Sequence, residues 1–153
     1  MTDEFKKPFT APPIIFITSL VIGAGIDFIY PLPILPLGLQ LGVGVATIIV
    51  GTLLIRSSMA SIDRADTTYS PFSASTTLVT RGIYRYTRNP GYLGLAVIQL
   101  GLALLVDSPW IFLTAMVAVV VTSQFVIKLE EEKLELTFGK EYQSYLAGVR
   151  RWF

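Results

Sequence analysis

The 153-residue sequence contains no cysteine and no histidine. These two absences together exclude disulfides, thiolate nucleophiles, zinc sites of the Cys/His type and a Ser-His-Asp triad. Any catalysis has to use carboxylates, Arg, Lys, Tyr, Asn or the backbone, and no metal is expected. Charge is also scarce: only 15% of residues are Asp, Glu, Lys or Arg, and the net charge is +1. The basic residues are not gathered into a basic-aromatic pattern, so nucleic acid is not expected as a partner.

Hydrophobic residues make up 52% of the chain. A small water-soluble globule would have too little polar surface to cover that much, so the lipid bilayer is the expected solvent. The length predicts one domain, 1–153. Four apolar stretches, about 13–30, 37–55, 90–106 and 109–129, approach the roughly 20 residues that a membrane helix needs, the third being marginal. Pro31 to Pro36 and Asp107-Ser108-Pro109 leave room only for tight reversals, which predicts two helical hairpins. The expected fold is therefore all-α and integral to the membrane, with four transmembrane helices as two hairpins, a loop over 57–88 and a C-terminal amphipathic helical segment over 130–153.

The distribution of charge sets the expected orientation. All twelve basic residues lie before the first stretch, between the second and third, or at the end of the fourth and beyond it. An excess of Lys and Arg marks the cytoplasmic side, so both termini and the long loop are expected there. Lys6-Lys7 ahead of an apolar run also fits a secretory signal peptide, but the run ends in Asp27-Phe28-Ile29-Tyr30 without a small-x-small cleavage pattern. Gly38 and Gly42 have the spacing of a small-xxx-small helix contact. Thr67-Thr68-Tyr69-Ser70-Pro71-Phe72 and Thr80 to Tyr84 carry too many aromatics for a floppy linker, so the loop is expected to fold over the cytoplasmic face. Leu134, Phe138, Tyr142, Tyr145 and Val149 form an amphipathic stripe interrupted by Gly139, a kink or cap signal. Arg150, Arg151 and Trp152 read as an interfacial anchor.

Two segments carry the chemistry. Arg88-Asn89-Pro90-Gly91-Tyr92 is a helix-start signal, Asn as N-cap and Pro at the first helical position, with Arg88 snorkelling at the interface. The alternative reading of the same residues is an anion site, made of free N–H groups at a helix start beside a guanidinium. Glu130-Glu131-Glu132 stands where the fourth stretch leaves the membrane. Adjacent acids there oppose the helix dipole and call for a cation nearby: Arg81, Arg85, Arg88 or a cationic ligand.

The pattern Gly82-x-Tyr84-Arg85-x-x-Arg88-Asn89-Pro90-x-Tyr92-x-Gly94, followed by Glu130-Glu131-x-x-Leu134 and Phe138-Gly139-x-x-Tyr142-x-x-Tyr145, resembles the isoprenylcysteine carboxyl methyltransferase family and its phospholipid methyltransferase relatives. The match covers about 71–152. It implies S-adenosyl-L-methionine as cofactor, held by Arg88, Asn89, Pro90, Tyr92, Gly94, Glu130 and Glu131. Arg88 and Glu131 are then the catalytic candidates, with Tyr84, Arg85 and Tyr142 on the substrate side. The cofactor's carboxylate suits Arg88, its ammonium suits a glutamate, and its sulfonium suits tyrosine faces. No strand followed by G-x-G-x-x-G is present, which excludes a soluble Rossmann-type methyltransferase.

The eukaryotic isoprenylcysteine enzymes usually carry His where this chain has Asn89, whereas phosphatidylethanolamine-methylating relatives share Asn-Pro-x-Tyr. Asn can hydrogen-bond but cannot act as a base near neutral pH. The acceptor implied is lipophilic: a prenylcysteine carboxylate first, with a phospholipid amine or a small thiol as alternatives. A nicotinamide-dependent sterol-reductase-like enzyme and a non-catalytic membrane scaffold are further alternatives.

Overall fold

The computed structural model describes residues 11–65 and 77–152. Lys6-Lys7 and Thr67 to Phe72 lie outside the described residues. Within them the chain is all helical: α1 (Pro12–Ile29), α2 (Leu37–Asp63), a 3-10 turn (Gly82–Arg85), α3 (Pro90–Leu105), α4 (Pro109–Thr122), α5 (Lys128–Phe138) and α6 (Lys140–Gly148). A π turn, Ser123–Ile127, joins α4 to α5 without a break.

Local chemistry sets the boundaries. Proline at the first helical position starts α1, α3 and α4, where its missing N–H is no loss. Ser108 adds a cap to α4 by accepting the Ile111 N–H. Pro31 follows the end of α1, and three prolines between 31 and 36 keep that connection from becoming helix.

Three helical runs are long and apolar enough to cross a membrane: Pro12–Ile29, Leu37–Asp63 and Pro109–Phe138. α3 has 16 residues and so extends about 24 Å, short of the roughly 30 Å hydrocarbon core. Only 17% of the apolar window of α1 and 11% of that of α2 is buried inside the protein, which leaves a broad apolar surface for lipid.

Three expectations need correction. α2 continues through Ser57–Asp63, residues expected to lie in a loop, because Ser58 and Ile62 are buried at its end against the returning chain. The helix does not stop where the fourth apolar stretch ends, near Leu129. The helix runs on to Phe138, and the break falls at Gly139, whose φ of +50° favours glycine. The C-terminal helical segment expected over 130–153 divides at Gly139, where the sequence has its kink or cap signal, but it ends at Gly148, short of 153, and the chain beyond is extended at Val149.

Packing partners also differ from a pair of self-contained hairpins. α2 packs mainly on α3 and α1 mainly on α4, while α3 and α4 join the two pairs. Glycine decides the first contact: a Cβ at Gly51 would meet the Gly94 carbonyl at 2.8 Å, and one at Gly101 would meet the Ile48 nitrogen at 2.8 Å. Gly44 lies equally close to Leu105, so α3 runs antiparallel along α2. Gly38 and Gly42 have open space around them and take no part in a contact with another helix among the described residues.

At one end of the bundle the turn between α3 and α4 holds the α1–α2 connection. The Asp107 carboxylate accepts the N–H groups of Ile34 and Leu35, and Trp110 Nε1 donates to the Tyr30 carbonyl at 2.7 Å. The motif residues gather at the other end.

Candidate active site

α3 begins where the returning loop docks on the end of α2. Gly82, at φ +64°, approaches Ser61 closely, and the Tyr84 hydroxyl lies 2.9 Å from Ser58 Oγ. The Tyr145 hydroxyl of α6 donates to the Tyr84 carbonyl at 2.6 Å. The segment 77–88 is thus clamped between α2 and α6, as the aromatic content of the loop predicts. This delivers Arg88 and Asn89 to the start of α3, opposite the start of α5.

Here the two motifs meet. Tyr92 Oη donates to Glu130 Oε1 at 2.6 Å, and Arg88 Nη1 lies 3.0 Å from Glu131 Oε1. The π turn places Val126 and Ile127 side by side in a buried cluster with Tyr92, directly before the glutamates. One-turn π elements of this kind are frequent at functional sites. The Arg88 and Glu131 side chains are 14% and 17% exposed, so this pair is well sheltered. The contact is one of charge, not direction: Arg88 Nη1 and Nε are buried and make no hydrogen bond among the described residues.

Tyr142 is buried beside both groups. Burial and the Glu131 carboxylate push its hydroxyl up to about 12, against the lowering effect of Arg88. Burial also raises the Tyr84 hydroxyl, partly offset by the bond to Ser58. Both are neutral donors at physiological pH.

The structure therefore brings together Arg88, Asn89, Tyr92, Glu130, Glu131 and Tyr142, with Tyr84 at the border. Pro90 is buried as the first residue of α3. Gly94 faces α2 and allows the Gly51 carbonyl to approach. Arg85 is exposed, its guanidinium 5.3 Å from the Tyr86 ring centroid, and Arg81 is exposed as well. Asn89 occupies the N-cap position but does not cap: its Nδ2 donates to the Arg151 carbonyl at 3.0 Å.

Arg151 is the residue that sequence reasoning placed elsewhere. It does not anchor the chain to an interface, because its Nε donates to Glu131 Oε1 at 3.0 Å and its Nη2 to Oε2. Trp152 likewise turns inward, onto Tyr92, Val126 and Ile127. The available signal was the glutamate run itself, whose need for a cation exceeds what one arginine supplies.

Apolar helices long enough to cross a membrane, with an arginine-glutamate cluster at one end of the bundle, define an integral membrane protein built around a polar site. The model of the family described as phospholipid methyltransferase matches residues 39–141, more than half of the chain, and the protein belongs to that family. The match begins in α2, well upstream of the motif resemblance. An uncharacterized protein of Haemophilus influenzae is 39% identical over 61 residues, which are 40% of this chain and 97% of that protein. Family membership implies methyl transfer in a lipid environment.

Proposed function

We propose that this protein transfers a methyl group from S-adenosyl-L-methionine to a lipophilic acceptor, with the Arg88–Glu131 cluster holding the amino-acid end of the cofactor. The observation that carries this reading is the state of Arg88: a sheltered guanidinium that meets Glu131 through Nη1 as an ion pair only, its buried Nε and Nη1 outside hydrogen-bond geometry among the described residues. Unmet donors on a buried cation are costly, and a carboxylate answers them in fork geometry. Glu131 beside it, and Glu130 one residue away, suit an ammonium.

When bound, the cofactor supplies a methyl carbon activated by a sulfonium. The chain contributes binding, orientation and shelter from water. Arg88 and the glutamates orient the charged end, and the rings of Tyr84, Tyr92 and Tyr142 border the cluster with faces that favour a cation. An acceptor that is already a carboxylate or thiolate needs no base, whereas for an amine Glu131 is positioned to take the proton. Asn89 cannot.

α3 runs antiparallel along α2 and serves as a fourth crossing. The described basic residues cluster at the end of the bundle that holds the site, which supports a cytoplasmic site reached sideways by a lipid. A prenylcysteine carboxylate is the first acceptor class. A phospholipid amine is the second reading, favoured by Asn89 at the position where the eukaryotic carboxyl-methylating enzymes usually have His. Incubating the purified protein with methyl-labelled S-adenosylmethionine and either prenylcysteine, phosphatidylethanolamine or small thiols tests both. Label in prenylcysteine is the expected result, label in the lipid amine alone would replace the first reading by the second, and no label in any acceptor would overturn the proposal.

A further inference from the structure

The last described residues fold back across the site. The Arg88 N–H donates to the Arg150 carbonyl at 3.1 Å, and Thr87 Oγ1 and Asn89 Nδ2 both donate to the Arg151 carbonyl, at 3.2 and 3.0 Å. Trp152 packs on the Tyr92–Val126–Ile127 cluster, with its Nε1 3.3 Å from Ser123 Oγ. These contacts tie the C-terminal segment, 149–152, to the first residues of α3 and to the π turn. They also fix where the Arg151 side chain projects, which is onto both oxygens of Glu131 in fork geometry.

Two guanidiniums therefore share one carboxylate, and they are not equivalent. Arg88 is 14% exposed, sits at the start of α3, touches Glu131 through Nη1 without hydrogen-bond geometry, and keeps a buried Nε with no partner among the described residues. Arg151 is 33% exposed, and its fork is spent on Glu131. A ligand ammonium added to Glu131 with nothing else moved would gather three cations on one carboxylate. A zwitterionic end brings its own carboxylate, which needs guanidinium donors within reach. The exchange that leaves every charge paired moves the Arg151 fork from Glu131 to that carboxylate and gives Glu131 to the ammonium.

We propose that Arg151, carried by the C-terminal segment, is a second guanidinium of the cofactor site, paired with Glu131 when the site is free and with the cofactor's carboxylate when it is filled. This rests on the reading of the site as one for S-adenosylmethionine. The Arg151 carbonyl, by holding Asn89 Nδ2, keeps the segment in place on the α3 side while the side chain changes partner. The segment becomes a working wall of the site, selecting ligands that carry a carboxylate beside an ammonium.

The test measures binding to the full-length protein in lipid nanodiscs, with S-adenosylmethionine and with decarboxylated S-adenosylmethionine, which keeps the ammonium and sulfonium but lacks the carboxylate. Arg151→Gln should weaken S-adenosylmethionine by about tenfold or more, the loss expected for a charge-assisted hydrogen bond. The same change should shift the decarboxylated ligand by less than about twofold, because the partner of Arg151 is already missing. Arg151→Lys, which keeps the charge but not the fork, should fall between. Equal weakening of both ligands would make Arg151 a structural residue and overturn the proposal, as would unchanged S-adenosylmethionine affinity in Arg151→Gln. Failure of the wild-type protein to bind S-adenosylmethionine at all would instead overturn the cofactor reading, and this proposal with it.

Discussion

Arg88 and Arg151 approach Glu131 from different parts of the chain, and Tyr142 packs beside them, so this small group of side chains couples the protonation of the site to the stability of the fold. In the unfolded chain Tyr142 ionises near the ordinary tyrosine value of 10.0, whereas in the fold burial and Glu131 hold it to about 12. Between those values the unfolded chain gives up a proton that the folded chain keeps. Stability is therefore intact below pH 10 and falls as the pH rises toward 12. Tyr142→Phe should flatten that alkaline loss in part, since burial raises Tyr84 and Tyr145 too, as read by thermal unfolding in detergent on either side of pH 10. An alkaline loss of the same size in Tyr142→Phe would show that another group controls it. At this scale the meeting of Arg88 with the glutamate run was legible, because adjacent acids demand a cation, whereas the hydrogen bond from Tyr92 to Glu130 was not. The inward turn of Arg151 was not: two arginines and a tryptophan near a chain end have the same composition whether they face lipid headgroups or a buried carboxylate.

At the scale of helices, apolar length and proline positions located α1, α3 and the starts of α2 and α4, and Gly139 signalled the break between α5 and α6. The ends of α2 and of the α4–α5 run were not legible, because a helix continues past the membrane boundary wherever its polar residues find partners, as Ser58 does with Tyr84 and Glu130 with Tyr92. Which faces pack together was hidden as well. Gly38-Gly42 and Gly44-Gly51 look alike in sequence, yet only the second pair meets α3. The two pairs should respond differently to the same change. A Cβ at Gly51 meets backbone atoms of α3 at 2.8 Å, and filling such a contact costs about 1–3 kcal/mol, so Gly51→Val should lower the unfolding temperature. Gly42→Val, with open space around it, should leave that temperature close to wild type. An equal response of the two variants would disprove the α2–α3 seam.

At the scale of the whole molecule, the bundle has two ends of different chemistry. One is closed by Asp107, which holds the Ile34 and Leu35 N–H groups, and by Trp110 on the Tyr30 carbonyl. The other collects the arginines, the glutamates and the C-terminal segment. The one-sided distribution of basic residues made this polarity legible in the sequence, and it is the reason a motif near residue 88 and another near residue 130 could be expected to converge. The acceptor was not legible, because the surface open to lipid is apolar along most of α1 and α2 and carries no feature that separates a prenyl chain from an acyl chain. The cofactor claim is the more accessible one, since it rests on named donors and acceptors. Calorimetric titration of the purified protein with S-adenosylmethionine tests it most directly. The account predicts saturable binding by the wild type and binding weaker by about tenfold to a hundredfold in Arg88→Ala, the loss of hydrogen bonds to a charged group. Unchanged affinity in Arg88→Ala, or no binding by the wild type, would contradict it.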